Sequence, residues 1–468
     1  MNGRARKRVL MRRSTVVFLA ALMFAMMLPA SAAAFIVVDE IHGNVKDAES
    51  EAALPGITVQ HLKYNEPPGD YLPMGTDTTD ANGYYGFATV TGPLGHRLIF
   101  SAASTRYRTA KYTFDYPGFP VTVNHSMRRV AERVAGQSRY STAVAVARKG
   151  YDPDGDKSWP GVDHVVIASG EDRAAADPLA AAGLCWAYDA PLFLVSSKSV
   201  SQEVKQAVNE IVTANGPTVV HVVGGPVSVP DPRYTELESA VLGTLHKDRV
   251  LATGGRYDLA AAIAQRVKSV AQSNPAKDMP PAVLIANGAD STKFFDALAL
   301  SAISAGKGCP ILLVSADSIP SATRSQLENL GIPRAIVGGG PNTVSDGVYG
   351  QIASIFGTQI QRWYGQSRYS TAINIAEKAV LQEHWADFNH IGVAAKLPDA
   401  LAGGSAVGKL RGVLVLTRGD SLTAETKAFL ERWDTQNNHE YGACYVLGGK
   451  LSVTPGVQTK MIDALALP

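Results

Sequence analysis

Arg133-Val-Ala-Gly-Gln-Ser-Arg-Tyr-Ser-Thr-Ala143 returns as Arg362-Trp-Tyr-Gly-Gln-Ser-Arg-Tyr-Ser-Thr-Ala372. A looser copy, Arg249-Val-Leu-Ala-Thr-Gly-Gly-Arg-Tyr-Asp-Leu-Ala260, stands between them. The three tyrosines, Tyr140, Tyr257 and Tyr369, are 117 and 112 residues apart. Solenoid repeats run about 20–50 residues, so this period is too long for one. It is long enough for a small folded domain.

Other landmarks recur in the same order. Val165–Ser169, Val283–Asn287 and Ile391–Ala395 are short apolar runs. Each leads to an Asp that opens an Ala/Leu-rich helix: Asp177-Pro-Leu-Ala, Asp296-Ala-Leu-Ala and Asp399-Ala-Leu-Ala. Second strands are predicted at Pro191–Ser196, Pro310–Ser315 and Gly412–Thr417. Third strands are predicted to end in glycine pairs, Gly224-Gly225, Gly338-Gly339 and Gly448-Gly449. Apolar runs this short, bounded by Gly and Pro, suit strands buried on both faces. Separated by helical stretches, they predict parallel sheets with crossover helices. The fold class expected is α/β, with three tandem repeats at 128–247, 248–360 and 361–468.

The chain before the repeats differs in kind. Arg4, Arg6, Lys7, Arg8, Arg12 and Arg13 precede an apolar run from Val16 to Leu28 and then small residues. That order is what a secretory signal peptide over 1–34 requires, and the run is too short for a confident membrane span. The chain carries 44 basic and 42 acidic residues; six basic and no acidic ones lie in 1–34, leaving 38 against 42. Overall charge therefore recruits no polyanion, and no nucleic-acid partner is expected; anion binding has to come from local clusters. With the signal removed, no membrane anchor is expected either. Cys185, Cys309 and Cys444 are odd in number and widely spaced, which suits buried thiols better than a disulfide framework.

Between 35 and 127 the β-prone runs Ile36-Val-Val38, Gly56-Ile-Thr-Val59, Tyr84-Tyr-Gly-Phe87 and Val121-Thr-Val123 alternate with Gly, Pro, Asn and Asp. Asp80-Ala-Asn-Gly83 reads as a hairpin-style turn. A small all-β sandwich is the natural reading.

On the motif Arg-x-x-Gly-x-x-Arg-Tyr-x-Thr-Ala, followed by a strand, Asp-Ala-Leu, Pro-Ile-Leu-Leu and a strand ending in Gly-Gly, the repeats resemble the type 2 cell wall-binding repeat. That family occurs in triplicate on surface proteins of Gram-positive bacteria. The resemblance implies Rossmann-like units around a pseudo-threefold axis and noncovalent attachment to an anionic secondary wall polymer. The second repeat departs from it at Asp258-Leu259, and the first has Asp177-Pro178. Less specifically, Ile41-x-Gly43-x-Val45, Leu54–Val59 and Asp80–Phe87 resemble collagen-adhesin B-type and carboxypeptidase regulatory-like sandwiches. These are spacers or adhesive stalks, so a surface or host protein partner is implied for this module. Some members form a Lys–Asn isopeptide bond, for which Lys46 and Asn124 offer the residue types.

A polymer bearing phosphate or carboxylate needs fixed cationic donors, and the planar guanidinium makes paired charge-assisted bonds. The Ser-Arg-Tyr-Ser-Thr segments also begin helices, whose free N–H groups favour anions. Arg139, Arg256 and Arg368 are the leading candidates, followed by Arg133, Arg249 and Arg362. Tyr140, Tyr257 and Tyr369 are candidates for stacking on a sugar face. The competing reading pairs each arginine with Asp177, Asp296 or Asp399 of its own repeat, locking helix to sheet; otherwise those aspartates read as helix N-caps. The glycine clusters lack G-x-G-x-x-G and Walker spacing and read as tight turns. His164 and His390 occupy equivalent strand starts without further ligands at metal spacing. No cofactor, metal or catalytic group is expected. Three functions stay open: a non-enzymatic wall-anchored surface protein, an enzyme acting on wall sugars, and an extracellular solute-binding protein. Triplication favours the first.

Overall fold

The apolar runs become the inner strands of three parallel sheets. A computed structural model describes residues 41–465, apart from 66–69, 89–94, 103–106, 108–109, 115–120, 128–129, 251–253 and 437–442. The segment read as a signal peptide lies outside the described residues. The chain divides into two compact units, a β unit and a unit holding the three repeats.

In the β unit, Tyr84–Phe87, Ile41–Asp47, Val121–Thr122 and His125–Met127 form one sheet. Asp70–Thr78, Ile57–Asn65, His96–Ala102 and Ala110–Phe114 form the other. Along Ile41–Asp47 alternate residues are buried, as the two-residue period of a strand requires. Ile41, Val45, Val59, Tyr85, Leu98 and Phe100 supply its core. The Asp80–Gly83 turn is present, with Gly83 at φ +75° and Asp80 Oδ1 accepting the N–H of Asn82 and Tyr84. It joins strands of different sheets, however, so it is not a hairpin turn. Lys46 and Asn124 are both exposed, and Asn124 Oδ1 accepts the backbone N–H of Asn44 at 3.0 Å.

In the repeat unit every sheet has the same order. The first aligns Leu192–Val195, His164–Ser169, Thr218–Val222 and Leu245–Arg249. The second aligns Ile311–Val314, Val283–Asn287, Ala335–Gly338 and Ile360–Trp363. The third aligns Val413–Leu416, His390–Ala394, Ala443–Leu447 and Ala131–Val134. All neighbouring strands in these three sheets run parallel.

The edge strands carry a topological surprise. The strand bearing Arg249 completes the first sheet, opposite Val222, and the strand bearing Arg362 completes the second, opposite Val337. The strand bearing Arg133, which opens the first repeat, completes the third sheet opposite Val446. The repeats therefore close on one another as a ring. The limits read at 247/248 and 360/361 fall inside these edge strands, because a sequence period marks recurrence and not where a sheet ends.

The helices Ala176–Tyr188, Phe294–Lys307 and Gly403–Lys409 pack on one another at the centre. Small residues permit the approach: a Cβ at Gly404 would lie 1.8 Å from Ser301 Oγ, and one at Gly408 2.3 Å from the Ala302 carbonyl. One hydrophobic core runs through all three repeats, with separate outer cores in the first and second. At roughly 1.5–3 kcal/mol for each fully buried large apolar side chain, this shared core dominates the cohesion of the ring. Cys185, Cys309 and Cys444 are all buried. Among the described residues no helix is long and apolar enough to cross a membrane.

Candidate functional site

Each motif strand ends where a helix begins, and the motif residues explain the junction. Ser138 and Ser367 cap the helices Arg139–Tyr151 and Arg368–Glu377 through reciprocal bonds with Ser141 and Ser370. Gly136 and Gly365 donate their N–H to Thr142 and Thr371, each at 3.0 Å. Their Cβ atoms would fall 2.4 and 2.5 Å from the serine hydroxyls, so only glycine fits. In the second repeat Asp258 takes over, accepting the N–H of Gly255 at 2.9 Å. The departure at Asp258 thus keeps one half of the reciprocal cap, since Gly255 has no side chain to return the bond.

The glycine turns serve the recurrent aspartates. Gly224, Gly339 and Gly448 have φ of +100°, +105° and +104°. A Cβ there would approach Oδ2 of Asp177, Asp296 and Asp399 to 2.8, 2.4 and 2.5 Å. The pair in the second repeat is consequently Gly339-Gly340, one residue later than the sequence reading, because Gly338 is still strand. The aspartates are not N-caps. They lie in the first helical turn, after caps at Ala175, Lys293 and Lys396. All three are buried, and burial raises their carboxyl pKa values, that of Asp296 to about 6. Hydrogen bonds with Ser228, Thr343 and Ser452 act in the opposite direction.

An arginine of the next repeat faces each carboxyl. Arg256 acts on Asp177, Arg368 on Asp296 and Arg139 on Asp399. The competing reading, in which each arginine acts on the aspartate of its own repeat, does not hold: the arginine whose charge is felt by each aspartate comes from across the junction, because the motif strand belongs to the preceding sheet, while Arg139 itself is ion-paired with Asp172. Three equivalent clefts result. Cleft one holds Asp177, Ser228, Arg173 and Arg256; cleft two holds Asp296, Thr343, Lys293 and Arg368. Cleft three holds Asp399, Ser452, Arg139, Lys396 and Lys450, with Arg133 also in its lining. Cations outnumber the carboxyl in each.

The two sets of arginines separate here. Arg133 donates to the Gly448 carbonyl at 2.9 Å and to Gln458 Oε1 at 2.8 Å. Arg249 donates to the carbonyls of Gly224 and Val229 and to Asp231. Arg362 donates to the Val344 carbonyl at 2.7 Å and to Asp346 at 3.2 Å, lying over the Tyr349 ring. Their side chains are 7, 12 and 10% exposed, which leaves little of them for a ligand. Arg139 is 30% exposed; it donates to the Gly170 carbonyl and to Asp172, both at 2.6 Å. Arg256 donates to the Gly288 carbonyl at 2.7 Å, and exposed Arg368 lies 4.1 Å above the Phe295 ring. Tyr140, Tyr257 and Tyr369 are partly buried against the central core and line none of the three clefts.

Sequence reasoning missed Ser228, Thr343 and Ser452. Their signal was available: each stands four residues after the glycine of positive φ. His164 is hydrogen-bonded to His221 at 2.9 Å, and His221 to Asp248 at 2.8 Å. None of the three lines a cleft.

The family described as Cell wall binding domain 2 (CWB2) matches residues 133–233, 251–349 and 362–458. N-acetylmuramoyl-L-alanine amidase LytC of Bacillus subtilis (strain 168) is 29% identical over 337 residues, covering 72% of this chain and 58% of that protein. The Amidase enhancer of the same organism is 23% identical over 339 residues, covering 72% and 41%. The chain thus spans about half the length of these curated relatives. Among solved structures, Cwp6 from Clostridium difficile matches with a TM-score of 0.60 at 19% identity, covering 91% of this chain and 67% of that one. Cwp8 from Clostridium difficile matches at 0.57 and 16%, covering 88% and 63%. These structures share the fold.

Proposed function

The chain belongs to the cell wall binding domain 2 family, and on that premise we propose that it is a secreted, non-enzymatic surface protein that grips an anionic polymer of the Gram-positive wall through its three inter-repeat clefts. One observation carries this reading: the same cleft is built three times, with a cation from the following repeat opposite a buried carboxyl and more cations than acids around it. Arg139, Arg256 and Arg368 are the ligand-facing donors. Arg133, Arg249 and Arg362 hold the frame in which those donors stand. Three modest sites on one rigid ring gain strength by avidity.

An alignment of 337 residues with LytC is about the length of residues 128–468, so the repeats alone account for it. The amidase activity in that protein's name therefore gives no reason to propose an enzyme here. In this reading the N-terminal β unit is a sandwich displayed to a surface or host protein.

The test uses the full chain. It is expected to sediment with purified walls, to bind less as salt rises, and to lose binding when the anionic polymer is stripped. Replacing Arg139, Arg256 and Arg368 by Ala together is expected to abolish binding without unfolding the ring. Full-strength binding by that folded variant rejects the assignment.

A further inference from the structure

The three clefts are equivalent in construction but not in their connections. A depression at the centre of the ring takes Asp172 from the first repeat, Phe295 and Thr292 from the second, and Pro398 and Arg368 from the third. Arg368, Phe295 and Thr292 also line cleft two. Pro398 also lines cleft three, whose Arg139 is ion-paired with Asp172 at 2.6 Å. Cleft one shares no lining residue with the depression. There Arg173 is tied to the Val227 carbonyl at 3.0 Å and to Glu171 at 2.7 Å.

The chain also differs between the repeats here. In the first and second repeats the link from strand to buried aspartate runs from Ser169 to Asp177 and from Asn287 to Asp296, and each contains a tight helical turn. In the third repeat it runs only from Ala394 to Asp399, and the helix begins directly at Leu397. Leu397 and Pro398, at the start of that helix, line the depression.

Resting on the wall-polymer reading, the geometry points to one continuous groove in which a single polymer chain crosses the centre of the ring, occupying clefts three and two at once, while cleft one binds separately. The crossing has its own chemistry. Its floor is apolar, made of Phe295, Leu397 and Pro398, and its one acid, Asp172, is 74% exposed. Such a floor takes the C–H face of an uncharged sugar ring and disfavours an anionic group. The ligand class is therefore a polysaccharide whose charged groups are separated by neutral sugars, so that charges fall at Arg139 and Arg368 and a neutral ring lies between.

Anionic polymer released from purified walls by mild acid, fractionated by length, is titrated into the full-length protein. Affinity is expected to rise on the order of a hundredfold once fragments are long enough to join the two clefts. Leu397→Trp, which fills the crossing, is expected to erase that rise and leave short-fragment affinity unchanged. Arg256→Ala is expected to leave the rise in place. Polyphosphate, charged at every unit, is expected to show no comparable step. A smooth dependence on length in the unaltered protein overturns the groove, whatever the variants do, and so does a step that survives in folded Leu397→Trp. Failure of fragments of every length to bind overturns the wall-polymer reading instead.

Discussion

Gly339 stands so close to Asp296 that a Cβ on the glycine would lie 2.4 Å from the carboxylate oxygen Oδ2. The same relationship links Gly448 to Asp399 and, less tightly, Gly224 to Asp177. The positive φ at these glycines and the buried aspartates are therefore one device, in which a turn without a side chain makes room for a carboxyl.

The third repeat offers a paired test of that device. Gly448→Ala meets both the φ of +104° and the carboxylate of Asp399, whereas a Cβ at Gly449 meets nothing within 4 Å. Chemical unfolding is expected to show a loss of about 2–3 kcal/mol for the first and a change within about 0.5 kcal/mol for the second. Equal effects reject the account.

The two arginines of each motif are expected to fail differently. Arg362→Ala leaves the Val344 carbonyl and Asp346 without their donor, at a cost of about 1–3 kcal/mol. Arg368→Ala opens no such internal gap and is expected to cost less than about 1 kcal/mol while weakening wall binding. Thermal melts and wall sedimentation on the same two samples separate stability from binding.

The buried carboxyl of Asp296 predicts a pH signature. Its pKa, raised by burial to about 6 from an ordinary 3.8, means the fold prefers the protonated form. The stability associated with that preference is present below about pH 4 and is lost as pH rises through 6. Asp296→Asn is accordingly expected to match the parent near pH 4 and exceed it at pH 7, by at most about 3 kcal/mol. His221 works in the other direction: burial lowers its pKa to about 4, so its contribution is lost as pH falls from about 6.5 through 4. The difference between variant and parent isolates the aspartate; a pH-independent difference contradicts the reading.

Removing everything before Ala135 takes away the strand Ala131–Val134, which pairs with Ala443–Leu447. Hydrogen exchange is expected to quicken in the third sheet, at Cys444 and Val446, with the first sheet's Val220 and Val222 unaffected. Loss of protection in the first sheet instead would contradict the exchanged-strand topology.

Much of this was written in the chain. The inner strands lie within a residue or two of where Val165, Val283 and Ile391 placed them, because runs buried on both faces carry a signal that tertiary context does not override. Helix starts were legible in the Ser-Arg-Tyr-Ser-Thr segments, where Arg139 and Arg368 indeed open helices. The edge strands were not. Arg133 and Arg362 sit in stretches too short and polar to announce their partners, and nothing local says that a strand will pair with the sheet of another repeat. For the same reason, the arginine that acts on each buried aspartate comes from across the junction, where the competing reading had it within the repeat. The tyrosines illustrate a further limit, since an aromatic beside an arginine looks the same in sequence whether it faces a sugar or a core.

Closure through Ala131–Val134 fixes the copy number of this architecture. A fourth repeat inserted anywhere would separate that strand from the edge it completes, and deleting one would leave two sheets to share an unsuited seam. A change in repeat number therefore has to rebuild the seam at which Ala131–Val134 meets Ala443–Leu447.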